Sequence, residues 1–83
     1  MADQMSTQTL PAQHDIEPLQ IRVDSVIRQH PHLRGMGIRP HADGQNVVLS
    51  GTVRSYFIKQ MAQEAVRSVP GADQVDNQIE VHW

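Results

Sequence analysis

Two strand-like stretches separated by one helical segment constrain the fold of this chain more than any other feature. Residues 47–53 and 75–82 alternate between two sets of side chains, one of them largely apolar, as strands buried on one face do. The segment between them carries apolar residues at helical spacing: Ile58, Met61, Ala62, Ala65, Val66 and Val69. If the two strands are neighbours in one sheet they must be parallel, because a helix crosses over between them.

A further helix and a further strand precede this unit. One stripe at helical spacing predicts a helix over about 17–29: Leu19, Val23, Val26, Ile27 and His30. Asp15 is suited to cap this helix, and Pro31 ends it. Residues 38–42 alternate as a strand, in which Pro40 cannot donate to a neighbour and so marks an unpaired side.

Three glycines are predicted to have structural roles. Gly44 lies in a turn-forming sequence, so 38–42 and 47–53 should form a hairpin. Ser55 is suited to cap the helix that follows, and Gly71 eases the exit from that helix. Gly51 lies on the inner face of its strand, where the close approach of a helix or another backbone explains a residue without a side chain. A ligand pocket at Gly51 is the alternative.

The order αββαβ predicts an α+β fold in which two helices pack on one face of a three-stranded mixed sheet. We assign residues 17–83 to this domain. Residues 1–16 are predicted to be a disordered tail, because so polar a stretch cannot bury enough apolar surface to offset its ordering entropy. Residues 1–17 hold three acidic residues and no Lys or Arg, whereas 18–83 hold seven basic residues against six acidic ones. The domain is therefore slightly basic, although the whole chain has a net charge of −2.

Several classes of function are disfavoured by what the sequence lacks. The absence of cysteine excludes disulfide frameworks and thiolate zinc sites, and the histidines have no carboxylate at useful spacing, so no metal and no cofactor are predicted. The sequence has neither a glycine-rich phosphate loop nor a nucleophile elbow, so we do not expect an enzyme. Three aromatic residues and no Gly-x-x-Gly loop argue against a nucleic-acid partner. Since neither a secretory signal nor a long apolar run is present, the expected location of the chain as written is cytoplasmic, with peripheral membrane association open.

The stretches VVLSGTV at 47–53 and VPGADQVDNQIEV at 69–81 together resemble the BON domain family, named for bacterial osmotically inducible and nodulation proteins. The resemblance extends over about residues 17–82. It implies an αββαβ fold with a mixed three-stranded sheet. It also implies a non-catalytic module associated with phospholipid membranes or envelope stress, often present in tandem copies or fused to other domains.

The basic residues near the first helix are the candidate binding site. Arg28 and Ile21 point away from the apolar stripe, Arg22 lies on its flank, and Arg34 follows in the loop. Basic groups beside an exposed aliphatic side chain suit anionic phospholipid headgroups. The alternative is a module for protein–protein interaction or weak self-association without lipid binding, through an unpaired edge or the polar sheet face of Val48, Ser50, Thr52, Gln78 and Glu80. The sequence does not fix the oligomeric state.

Overall fold

The computed structural model describes residues 17–83, so the tail predicted for 1–16 lies outside the described residues. The elements, in chain order, are α1 (Leu19–Gln29), β1 (Arg39–Asp43), β2 (Asn46–Ser50), β3 (Thr52–Val53), α2 (Tyr56–Arg67), β4 (Gln74–Asn77) and β5 (Glu80–Val81). The predicted α+β fold is confirmed, with the second and third predicted strands each divided into two short ones.

The sheet has the order β1-β2-β4, and β3 pairs separately with β5. β1 runs antiparallel to β2, with Arg39 opposite Ser50, whereas β2 is parallel to β4 and β3 to β5. The sheet is therefore mixed, and the strands on either side of α2 are parallel as predicted. The parallel ladder continues past the division, because the backbone N–H groups of Gln78 and Glu80 donate to the carbonyls of Leu49 and Gly51.

The core lies between one face of the sheet and the two helices. β2 alternates between fully buried and more accessible residues, with Val47 and Leu49 turned inward. The buried hydrophobic residues are Val23, Ile27, Leu33, Ile38, Val47, Leu49, Val53, Ala62, Val66, Val69 and Ile79. Leu33 is fully buried, although it belongs to the loop between α1 and β1 and the periodicity did not assign it to any element. No polar or charged residue of the described part of the chain is classed as buried.

The two helices begin differently. Ser55 caps α2 as predicted, since its Oγ accepts from the Ile58 backbone N–H at 3.2 Å. α1 begins at Leu19, two residues later than predicted, because Pro18 has an extended backbone and occupies the N-cap position. Its carbonyl instead accepts from the Ile21 and Arg22 N–H groups, and no side chain of the described residues caps the helix. The predicted cap, Asp15, lies outside the described residues.

The outer edge of β1 is closed by a side chain from α1. Gln20 Nε2 donates to the Pro40 carbonyl at 2.8 Å, and the Ala42 N–H donates to Gln20 Oε1 at 2.7 Å. The side-chain amide thus bonds to this edge as a neighbouring strand would, at the position where Pro40 lacks a donor.

Candidate functional site

The outer face of α1 carries two of the predicted site residues. Ile21, with 46% of its surface exposed, and Arg28, also exposed, are seven residues apart and so lie on one face of the helix, about 10 Å apart along its axis. Val23 and Ile27 on the opposite face are buried, which fixes the orientation of the helix. Arg34 is exposed in the turn after α1, where its backbone N–H donates to the His30 carbonyl at 3.0 Å.

Arg22 has a different position from the other three predicted residues. Its guanidinium Nη1 donates to the Pro70 carbonyl, just after α2. Nη2 lies 3.2 Å from the place where a side chain on Gly71 would begin. The Nε atom is buried and has no hydrogen-bond partner among the described residues. Arg22 therefore ties the start of α1 to the end of α2, and the structure brings only Ile21, Arg28 and Arg34 to the outer surface.

The glycines assigned structural roles all have positive φ angles, of 64° at Gly44, 125° at Gly51 and 96° at Gly71. Gly51 is also crowded, because a Cβ there would lie 2.6 Å from the Gly37 carbonyl oxygen. The neighbour is the backbone of the loop before β1. This position therefore offers space for neither a side chain nor a ligand.

Exposed arginines are found beyond the candidate site as well. In the described part of the chain, ion pairs join Arg67 to Glu64 at 3.8 Å and, when the imidazole is protonated, His82 to Glu80 at 3.2 Å. Four other arginines are exposed and form no ion pair with a described acidic residue: Arg28, Arg34, Arg39 and Arg54. Arg39 and Arg54 were not part of the candidate site, because the sequence grouped only the basic residues near the first helix.

All three aromatic residues are exposed, with 65% of Tyr56, 67% of Phe57 and 86% of Trp83 accessible. The Tyr56 and Trp83 ring centroids are 5.9 Å apart, at an interplanar angle of 56°. The sequence offered one signal, since Tyr56 and Phe57 lie off the apolar stripe of α2. It could not show that Trp83 lies beside Tyr56.

A groove with a volume of about 690 Å³ lies between α1 and α2. Its walls include Val26 from α1, His30 just after it, and Met61 and Ala65 from α2, and Arg22 and Pro70 also line it. Across the described residues, no three His, Asp or Glu side chains come together in a way that could hold a metal ion. Within the same range, neither helix has the length and apolarity needed to cross a bilayer.

Comparison of the sequence with known protein families gives a match. The BON domain model matches residues 14–82, which include every described residue except Trp83. A search of curated proteins finds no match. The match covers most of the chain, and the αββαβ order with its parallel β2–β4 pair agrees with the fold expected from the resemblance. The chain therefore belongs to the BON domain family, whose members are binding modules.

Proposed function

We propose that this BON domain is a non-catalytic module that contacts anionic phospholipid membrane surfaces through the outer face of α1 and the turn after it. The observation that carries the proposal is the placement of Ile21 and Arg28 on one exposed helix face, followed by exposed Arg34, with neither arginine in an ion pair with a described acidic residue. Arg22 is not part of the proposed contact, because its guanidinium is bonded to Pro70.

The chemistry of these groups suits a headgroup layer. A guanidinium presents several N–H donors to phosphate oxygens and remains charged at any physiological pH. Each basic residue near an anionic surface contributes about 1 kcal/mol, so Arg28 and Arg34 together supply roughly 2 kcal/mol. Ile21 adds a modest apolar contact. Binding by one domain is therefore weak, and several copies on one surface would strengthen it by avidity.

Flotation with vesicles of rising anionic lipid content tests the proposal. We expect the fraction of protein that floats to rise with anionic lipid and to fall with salt, because the attraction is electrostatic and is screened. Failure of the protein to float with strongly anionic vesicles at low salt would contradict the proposal.

The variant Arg28→Glu should float several-fold less than the native protein, since it replaces an attraction by a repulsion. Arg67→Glu is its matched control. Arg67 is also exposed in the last turn of a helix, so the change of charge and the loss of a favourable helix-end charge are the same. Arg67→Glu also removes the exposed ion pair with Glu64, which contributes little to stability, and far-UV circular dichroism checks that both variants are folded. Equal losses in both variants would show that only net charge matters and would remove α1 from the proposed contact.

The alternative, a protein-interaction or self-association module, is favoured by the groove between α1 and α2. Its volume of about 690 Å³ and its walls of Val26, Met61 and Ala65 provide a recess for apolar side chains of another chain. Light scattering over a wide range of protein concentration tests self-association. A constant monomer mass would count against it.

A further inference from the structure

The exposure of all three aromatic residues is not explained by folding. Aromatic side chains usually contribute much of the buried apolar area of a domain. Here the described buried core is entirely aliphatic, while Tyr56, Phe57 and Trp83 each leave about two thirds or more of their surface exposed. Exposed hydrophobic residues that are scattered over a surface are normal and need no explanation. Tyr56, at the start of α2, and Trp83, after β5, are instead in contact with each other.

Strand pairing brings these aromatic residues to one end of the sheet. β3 and β5 are parallel and end together, at Val53 and Val81, so the chain leaves both strands on the same side. α2 begins there with Tyr56 and Phe57, and Trp83 follows β5 by two residues.

Two arginines that form no ion pair with a described acidic residue lie at the same end. Arg54 directly follows β3. Arg39 begins β1 opposite Ser50, next to Gly51, which precedes β3. We refer to Tyr56, Phe57 and Trp83 with Arg39 and Arg54 as the aromatic end.

Two of the carboxylates of the domain lie far from the aromatic end. β1 ends at Asp43, and the Asp73 N–H bonds to the Gln45 carbonyl, so both carboxylates lie at the end of the sheet opposite the aromatic end. On the β5 side of the aromatic end, the carboxylate of Glu80 accepts from His82. Arg39 and Arg54 outnumber this one side-chain carboxylate, and neither forms an ion pair with a described acidic residue.

We propose that the aromatic end enters the headgroup region of an anionic bilayer, with Phe57 and Trp83 reaching the acyl boundary while Arg39 and Arg54 hold lipid phosphates. Tyrosine and tryptophan have an apolar body and a polar group, which suits them to the level of the headgroups. This inference rests on the proposed function and deepens it. Arg28 and Arg34 attract the domain to the surface, and the aromatic end provides the penetration that Ile21 alone does not.

A bilayer fits the aromatic end better than a second copy of the chain does. Two aromatic ends facing each other would bring Arg39 and Arg54 of both copies together, and like charges at a desolvated contact are unfavourable. An anionic lipid surface neutralises the same arginines.

Trp83 is the single tryptophan of the chain and reports directly on this contact. The full chain is mixed with vesicles of phosphatidylcholine and phosphatidylglycerol, with plain or brominated acyl chains. We expect the Trp83 emission to shift to shorter wavelength with anionic vesicles and to be quenched by the brominated chains.

Phe57→Ser should weaken partitioning roughly tenfold, because two thirds of a phenylalanine side chain would no longer be transferred out of water. Gln60→Ser, at an exposed position one turn along α2, is the matched control and should partition as the native protein does. Far-UV circular dichroism confirms that both variants are folded.

The outcomes separate this inference from the proposed function. If the protein floats with anionic vesicles while Trp83 emission is unchanged and Phe57→Ser partitions normally, the aromatic end is not inserted and the contact through α1 stands. If the protein does not float at all, both proposals fail. A shift of Trp83 emission with protein concentration in the absence of vesicles would show that a second copy covers the aromatic end and would overturn this inference.

Discussion

Of the five glycines, Gly51 is the one at which a side chain would meet the closest obstacle. Its φ of 125° is rarely adopted by residues with a side chain, and a Cβ would lie 2.6 Å from the Gly37 carbonyl oxygen. The obstacle is backbone and cannot rotate away. Gly51→Ala is therefore expected to lower the free energy of unfolding by roughly 2–4 kcal/mol, as measured by urea denaturation.

Gly35→Ala separates the two causes of this loss. Gly35 also has a positive φ, of 78°, but nothing lies within 4 Å of the place where its Cβ would be. Its substitution should cost about 1 kcal/mol, from backbone strain alone. Equal losses at the two positions would mean that the loop before β1 yields to the new methyl group.

At the scale of elements, α1 is attached to the sheet by Gln20 as well as by apolar packing. The Gln20 amide makes two hydrogen bonds with β1, at the Pro40 carbonyl and the Ala42 N–H. Gln20→Ala leaves both backbone groups to find water, and we expect a loss of about 1–3 kcal/mol in the free energy of unfolding. Gln29→Ala, at the exposed end of α1, is the control and should change the urea midpoint little. Indistinguishable midpoints for the two variants would contradict this role.

The hydrogen bonds between Gln20 and β1 also bear on the alternative function, protein–protein interaction. An unpaired strand edge can accept a strand from a partner, and Pro40 indicated such an edge in the sequence. In the structure, Gln20 occupies that edge at Pro40 and Ala42. A partner strand would have to displace Gln20 first.

Local sequence patterns were sufficient to predict the element types and their order. The stripe of α2, the Ser55 cap and the parallel relation of β2 and β4 all follow from spacing and chain direction. The start of α1 was predicted too early, because Pro18 was treated as part of the first turn when its extended backbone places it before the helix.

Which residues belong to the candidate site depends on tertiary contacts, and local sequence patterns do not encode these contacts. Arg22 and Arg28 are both basic residues of one helix, yet one is bonded to Pro70 and the other faces outward. Leu33 is buried through the path of its loop, and Trp83 meets Tyr56 through the pairing of β3 with β5. Spacing along one element cannot predict which other element will lie beside it.

At the scale of the whole molecule, net charge and local charge have opposite signs. The chain has a net charge of −2, while the surfaces proposed to meet a membrane carry exposed arginines without described acidic partners. Two of the acidic residues, Asp3 and Asp15, precede the residues that the structure describes. Long-range repulsion between the whole chain and an anionic surface therefore opposes the short-range attraction of the arginines.

Removing that repulsion gives a prediction that involves no residue of either proposed surface. The double variant Asp3→Asn and Asp15→Asn raises the formal net charge from −2 to 0 and leaves residues 17–83 unchanged. Asparagine is as good a helix cap as aspartate, so the substitution keeps that property of residue 15. We expect it to float about threefold more strongly with anionic vesicles at low salt, and to match the native protein at high salt, where charges farther apart than the Debye length no longer interact. Enhancement that persists at high salt would require a direct contact between this segment and the domain. No enhancement at low salt would mean that the arginines respond only to charges in their immediate neighbourhood.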